Sequence, residues 1–544
     1  MPAASARLRE RPPSALRYAR GLLFAALGLY ALMGLRVLGD YGPNPDSFKN
    51  WGEGRANLDF LVTGKVDEPA VWYQTHGALF MMAAELSRRA LGERLGLLDE
   101  IDARHVVLIP LNLALALALF RFVRLRSDPW TGLVAALGLL TYPEYFGFSF
   151  NNLKDIPLVV FFSLAMMAWV DWTGLRRLGA FYSFFAFWGL ALCAKLYAFL
   201  APVLLAIWTL SQGGGRALGT PRRERSLRPH LACGLALAAL LVAALYAPAW
   251  WGMPEKGRLG SDWTATVSWI ALNPERGWSV WPFEQLLLRV PVAWLGCAAI
   301  GLWAIARDYR RDPLSIAIPW LLVPLLIPCL PGLYGYQSGL RLLLLHSVPL
   351  SILAASGGRV LAGALAARWP IGRVLVPAGL LASNLHAIVQ THPYQTTFFN
   401  ALAGGLGGAQ AARVPSSSDY WMNSLREIGR WLDANAAQDA EVLEVYRIHV
   451  VHPPQRASFE GLLRRAVRRP DLRVTHREAY FDEFEASTAA SPVGPNTYVI
   501  FLPSLRDASR NQLKFERLAA SGTLRKVYEI KRQGGLIAAV YHRS

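Results

Sequence analysis

Long apolar runs recur along the first three quarters of the chain, too uniform to be the one-sided helices of a soluble core. A bilayer span needs roughly 20 such residues. The runs predict spans near 18–38, 105–124, 131–147, 156–172, 179–193, 196–211, 231–248, 285–306, 314–333, 340–362 and 373–391, about eleven in all. The basic stretch "RLRERPPSALRYAR" before the first run resembles the start of a signal peptide, but no small-residue cleavage site follows it and many more runs do. A retained first helix is therefore expected.

The polar segments between the runs are of two kinds. "RFVRLRSD" (121–128), "GLRRLG" (174–179), "GGGRALGTPRRERSLRPH" (213–230), "ARDYRRD" (306–312) and the 357–373 region are short and basic. The positive-inside rule puts them in the cytoplasm, on the side of the N-terminus. Segments 39–104, 143–155, 249–284, 334–339 and everything after about 392 are richer in polar and aromatic chemistry and fall on the outer side, where a working face is expected. The inner loops do not exceed about 20 residues, and no glycine-rich phosphate cradle occurs between a strand and a helix, so no nucleotide-binding domain is expected. No solenoid repeat or inverted repeat is visible.

After the last run the pattern changes. Residues 416–436 begin with Ser and Asp caps and then space Trp421, Leu425, Ile428, Trp431 and Leu432 as one helix. Strands are expected over 440–448 and 496–504, a helix over 510–522, and a hairpin over 523–543 turning at Gly534 and Gly535. The fold class is thus mostly α: a polytopic transmembrane helical bundle, residues 1–411, with a small C-terminal α/β domain on the outer face, residues 412–544.

Composition sharpens this picture. The chain of 544 residues is 53% hydrophobic and holds 19 Trp. Its net charge of +18 would suggest nucleic acid in a soluble protein, whereas here topology and anionic headgroups account for it. Cys193, Cys233, Cys297 and Cys329 lie inside apolar runs without ligand spacing, as small buried hydrophobes would.

Candidate chemistry gathers at the outer ends of the runs. Asp40 and Asp46 follow the first span closely; Asp46 stands among Phe48, Asn50 and Trp51, the make-up of a sugar-handling surface, while a solvated loop acid is the plain alternative. The stretch 71–92 is expected to lie along the interface with Trp72 and Tyr73 in the aromatic belt, and His76 is either a proton shuttle or a hydrogen-bonded structural histidine. In "FSFNNLKDIP" Lys154 and Asp155 sit at the mouth of a span, as a functional ion pair or as snorkelling and capping groups. Lys195 and Arg341, at the outer headgroup level, either grip a lipid phosphate or anchor their helices. The Trp-rich 249–284 loop reads as an interfacial belt or as a cover over sugar faces.

Taken in order, "NPDSFKNWGEG", "FSFNNLKDIP", "LALCAKLYAFLAP", "WSVWPFEQLLLRVPVAWL", "YGYQSGLRLLLLHSVPL" and "HPYQTTFFNALAGGLGGA" resemble the bacterial protein O-mannosyltransferase and aminoarabinose-transferase-like group of GT-C glycosyltransferases (family 39-like). Ser47 stands where many members carry a second acid, and Gln337 and Ser338 where an acid usually appears. The resemblance implies inverting transfer of a hexose or pentose from a polyprenyl-phosphate donor to a lipid, glycan or protein acceptor, in the bacterial inner membrane and on its periplasmic or extracellular face. Asp46 and Asp155 are then the catalytic residues, with Asp46 the general base. Lys154, Lys195, Arg341, Tyr336, His76 and Asn152 are the substrate-binding ones, with Lys195 and Arg341 on the leaving phosphate. Asp155 orients Lys154 or the acceptor, or joins Asp46 on a divalent metal; the sequence itself requires no cofactor. A transporter or flippase of a lipid-linked substrate would instead place ionisable residues at mid-span depth and interrupt its helices there. A non-catalytic accessory subunit is the third class.

Overall fold

The computed structural model describes residues 13–65, 77–175, 177–212, 227–251, 277–332, 340–445, 461–477, 496–502, 520, 522 and 524–543. Among these, six helices are long and apolar enough to cross a membrane: Ser14–Asp40, Glu100–Arg126, Asp155–Gly174, Arg228–Leu245, Arg341–Ala366 and Gly372–Thr391. A seventh is reached only if Trp281–Arg289 and Val292–Arg307, bent by 120° against each other, form one span. The expected eleven are not reached by length. The remaining apolar runs form the shorter helices Pro129–Thr141, Leu178–Ala194, Leu196–Ser211 and Ala317–Cys329.

Local chemistry explains the breaks. A residue before proline is pushed out of the helical region. Tyr142, ahead of Pro143, is extended at ψ 120°, which splits the expected 131–147 span. Val290, ahead of Pro291, is extended at ψ 135°, which splits the expected 285–306 span. Lys195 ends its helix in an extended conformation (φ −163°, ψ 138°), and this break matters for the site.

Close approach of helices falls where side chains are absent. In α1 (Ser47–Thr63) a Cβ on Gly54 would lie 2.3 Å from the Met81 carbonyl of α2 (Leu79–Ser87). Phe80, Met81, Met82 and Ala84 of this part of 71–92 are buried; residues 71–76, with Trp72, Tyr73 and His76, lie outside the described residues. The long α3 (Asp155–Leu175) packs along α4 (Leu178–Ala194). The most extensive helix contact joins α5 (Val292–Arg307) to α6 (Ser347–Ala366) through Gly301 and Gly357. A Cβ on either would meet a backbone oxygen of the other helix at 1.9 Å or 1.8 Å, the small-residue contact that lets membrane helices touch. Of the cysteines, Cys193, Cys297 and Cys329 are buried and Cys233 is exposed.

The C-terminal helix α7 spans Ser424–Asn435, not the whole of 416–436. Ser416 and Met422 have φ of 63° and 58°, which no helix accommodates, and Asp419 Oδ2 accepts the Ser424 N–H at 2.7 Å just before α7 begins. As a result Leu425, Ile428 and Leu432 face the core of the C-terminal domain, while Tyr420 and Trp421 enter the core of the bundle. The sheet consists of β1 (Glu441–Val445), β2 (Arg473–Arg477), β3 (Thr497–Phe501), β4 (Arg525–Arg532) and β5 (Gly535–Arg543) in the order β2-β1-β3-β5-β4. β2, β1 and β3 run parallel, and β5 and β4 continue the sheet antiparallel. The hairpin turns at Gln533 and Gly534, both with positive φ (47° and 73°), one residue before the expected pair; two such residues suit the tight hairpin turn. The helix expected over 510–522 falls outside the described residues except for 520 and 522.

Ion pairs dock this domain onto the bundle. Arg426, nearly buried, donates to Asp102 Oδ1 at 2.8 Å and also reaches Asp99. Arg465 meets Glu100 at 2.8 Å. Asp40 takes His392 Nε2 at 3.1 Å and Arg430 Nη1 at 3.3 Å, so it belongs to this junction.

Candidate functional site

The stretch Asn151–Asp155 turns sharply into α3. Asn152 Oδ1 accepts the backbone N–H of Lys154 (3.2 Å) and of Asp155 (2.9 Å), satisfying donors that a helix start leaves open. The capping role therefore falls to Asn152, which leaves both charged side chains available. Lys154 stands in the turn before α3 while Asp155 is the helix's first residue, and the two side chains separate. Lys154 Nζ reaches Asp46 Oδ2 at 3.0 Å, and Asp155 Oδ1 receives Lys195 Nζ at 2.5 Å. The expected pairing of Asp155 with Lys154 is thus replaced by a crossed one.

Arg341 closes the group. Its Nη2 lies 3.1 Å from Asp46 Oδ2 and its Nε 3.3 Å from Asp155 Oδ2, so one guanidinium bridges the two carboxylates. Asn152 Nδ2 adds a hydrogen bond to Asp155 Oδ2 at 2.8 Å. Five ionic side chains drawn from four distant stretches of sequence converge here, three cations on two carboxylates. The excess positive charge suits one further anion. Of the two acids, Asp155 has a side chain only 2% exposed while Asp46 keeps 24%, so Asp46 is the one that an incoming molecule reaches. Burial alone would push the Asp46 carboxyl up, but Lys154 and Arg341 outweigh it and hold it well below the usual carboxylate range.

Several supporting residues escape sequence reasoning. The Arg341 guanidinium carbon lies 4.3 Å from the ring of Trp421, a cation–π contact supplied by the C-terminal segment. Trp421 Nε1 donates to Asn151 Oδ1 at 2.9 Å, and Asn151 Nδ2 donates to Asn423 Oδ1 at 2.6 Å. The Asn151 carbonyl accepts from Asn44 Nδ2 at 2.6 Å, and Asn44 Oδ1 accepts the Asp46 N–H at 2.9 Å. Asn151 is therefore the hub between the Asp46 loop, the start of α3 and the C-terminal domain. The Asn pair in "FNNLKD" was the available signal. Trp421 gave a misleading one, since its spacing fits the helix it precedes.

Not every expected residue is brought here. His76 and Tyr336 lie outside the described residues, as do Trp263 and Trp269 of the Trp-rich loop. Trp281 is buried in the bundle core and Trp278 is exposed. Asp46 and Asp155 are each engaged by two cations, and among the described residues no three His, Cys, Asp or Glu gather.

Residues 100–250 match the family model described as Dolichyl-phosphate-mannose-protein mannosyltransferase, a stretch that contains Asn152, Lys154, Asp155 and Lys195. Among curated proteins none matches this chain. The structure resembles ArnT from Cupriavidus metallidurans bound to undecaprenyl phosphate, with a TM-score of 0.52 and 14% identity over 95% of this chain and 97% of that one. It resembles ArnT from the same organism in the apo state with a TM-score of 0.51 and 16% identity, over 96% of this chain and 98% of that one. A weaker likeness, TM-score 0.46 and 11% identity over 88% of this chain and 69% of that one, is to the archaeal oligosaccharyltransferase AglB from Archaeoglobus fulgidus. The chain has the GT-C fold, in the arrangement seen in ArnT.

Proposed function

We propose that the protein is a membrane glycosyltransferase that moves a sugar from a polyprenyl-phosphate donor to an acceptor hydroxyl by inverting single displacement. The observation that carries this reading is the convergence of Lys154, Lys195 and Arg341 on Asp46 and Asp155 at the ends of apolar helices. A lipid-borne phosphate supplies the missing negative charge and arrives along the membrane. ArnT, whose fold the chain shares, has been solved with undecaprenyl phosphate. The basic alternate loops support an outer-face site, with the N-terminus cytoplasmic and the C-terminal domain periplasmic or extracellular.

The acceptor oxygen attacks the anomeric carbon opposite the phosphate. The bond between that carbon and the phosphate oxygen breaks with its electron pair leaving on oxygen, and the acceptor proton passes to Asp46. Polyprenyl phosphate departs as an anion. Lys195 and Arg341 stabilise its growing charge from fixed positions in a partly dry site, where such charges act strongly. Asp155, too buried to meet the acceptor, holds Lys195 and Arg341 in place. Donor phosphate drawing on Lys154 and Arg341 weakens their grip on Asp46 and raises its proton affinity, so binding the donor prepares the base.

Purified protein in liposomes, given an undecaprenyl-phosphate-linked sugar and an acceptor, is expected to transfer the sugar. Asp46→Asn should lower turnover by about 10²-fold or more while the lipid still binds, since general-base loss costs about that much. Full transfer by that variant refutes the base assignment, and no transfer by the wild-type chain with any donor refutes the reading.

A further inference from the structure

Glu144 is a buried acid that the proposed reaction leaves unused. It lies in the first turn of the short helix Pro143–Phe148, directly after the proline that breaks the apolar run, and is 1% exposed. Its Oε1 accepts the Tyr420 hydroxyl at 3.2 Å. Its Oε2 lies 3.6 Å from Arg289 Nη1, an ion pair too long for a good hydrogen bond. Arg289 is buried as well and gives its hydrogen bonds elsewhere: Nη1 to the Thr396 carbonyl at 2.7 Å, Nη2 to the Ser416 carbonyl at 2.6 Å and Nε to Gln285 Oε1 at 2.7 Å.

Stability alone is a weak reason for this pair. Taking two charges out of water costs several kcal/mol per ion, and well-packed apolar side chains of the same volume often hold a core equally well. What the carboxylate touches supplies a better reason. Tyr420 immediately precedes Trp421, the ring against which the Arg341 guanidinium lies at 4.3 Å. A backbone hydrogen bond reaches the same carboxylate from Leu340, which immediately precedes Arg341. One buried group therefore holds the chain next to both members of the Arg341–Trp421 contact.

A second tie fixes the other end of the Arg341 segment. His346 Nδ1 lies 2.8 Å from the Leu343 carbonyl, so the proton sits on Nδ1, and Nε2 accepts the Tyr142 hydroxyl at 2.9 Å. The short 3-10 helix Arg341–His346 is thus fastened at its start to Glu144 and at its end to Tyr142, the residues on either side of Pro143. Such fastening matters because Arg341 reaches Asp46 at 3.1 Å and Asp155 at 3.3 Å together. A shift of about 1 Å in its backbone would lengthen one of those contacts beyond use.

We infer that Glu144 is a positioning residue for Arg341: through Tyr420 and Leu340 it sets the guanidinium against Trp421 and between the two carboxylates, where the donor phosphate meets it. This rests on the proposed function, because only there does Arg341 serve a phosphate.

The test is a double-mutant cycle on the purified full chain, read as affinity for undecaprenyl phosphate from the dose dependence of thermal stabilisation. Arg341→Gln should weaken binding about tenfold or more. Glu144→Gln should weaken it about fivefold, and Tyr420→Phe, which removes only the hydroxyl, about threefold. Glu144→Asp, which keeps the charge, should recover part of the loss. In the Arg341→Gln background both Glu144→Gln and Tyr420→Phe should change affinity by less than about twofold, since a residue that acts through Arg341 has nothing left to position. Losses of equal size in the two backgrounds mean that Glu144 only supports the fold, and they overturn the inference; so does unchanged affinity in both single variants. If Glu144→Gln does not fold, Tyr420→Phe in the two backgrounds decides by the same criterion. A wild-type chain that does not bind the lipid, or an Arg341→Gln chain that binds it undiminished, overturns the role of Arg341 in the proposed function, and the inference with it.

Discussion

Lys154 shows what a single residue can and cannot reveal about itself. Its presence beside Asp155 at the edge of an apolar run marks a place where charge was retained at a cost, and that much is legible from sequence. Its partner is not, because the partner depends on where Asn152 caps α3 and on the break at Lys195. Trp421 is the stronger case. Replacing it with Leu keeps apolar volume but removes the ring under Arg341 and the hydrogen bond to Asn151. We expect Trp421→Leu to lower kcat by about tenfold with a smaller change in KM for the donor, as loss of a cation–π contact of about 0.5–2 kcal/mol implies. Trp421→Phe, which keeps a ring without the N–H, should recover part of that loss. Steady-state kinetics on the two variants check this; equal losses would mean that the ring itself contributes nothing.

Among elements, the position of apolar runs was readable and their continuity was not. Hydropathy averages over a window, whereas Tyr142–Pro143 and Val290–Pro291 interrupt the backbone within one residue. The strands of the C-terminal domain appeared near their expected places, but β2 had no counterpart in the expectation, since "RVTHR" carries too little apolar character to announce a strand. The α5–α6 contact was likewise hidden, because a glycine in an apolar run reads as neutral until its neighbour is known. Gly357→Ala places a methyl group against the Cys297 carbonyl, which forces the helices apart at about 1–3 kcal/mol or more. Its thermal unfolding midpoint should fall clearly below that of the wild type. Gly296→Ala on the same α5 meets nothing within 4 Å and should leave the midpoint unchanged, which isolates the contact from the loss of glycine as such.

For the molecule as a whole, the docking of the sheet domain is part of the site. The 416–423 segment carries Trp421 into the bundle, and Arg426 fastens the next turn to Asp102 and Asp99. Removing one partner of a buried ion pair leaves the other charge unpaired, at about 3–5 kcal/mol. Arg426→Ala should therefore raise hydrogen exchange in α7 and β1 and also reduce transfer, although Arg426 touches no part of the ionic cluster. Unchanged exchange would mean that Arg465 and Arg430 suffice to hold the domain. Neither this coupling nor the sheet order could be read from sequence, because the coupling depends on residues 324 positions apart, Arg426 with Asp102, and the sheet order on strands paired across long intervening segments, such as Glu441 with Thr497.

The bridge that Arg341 makes between Asp46 and Asp155 also bears on selectivity against the surrounding bilayer. At rest each cation already has a carboxylate neighbour, so an ordinary anionic phospholipid drifting past meets cations that are partly neutralised. The one uncompensated positive charge accepts a phosphate, but that phosphate must share its cations with Asp46 and Asp155, so a molecule bringing additional contacts is held better. On the proposed function, such an arrangement lets a scarce carrier be picked out from a vast excess of look-alike headgroups.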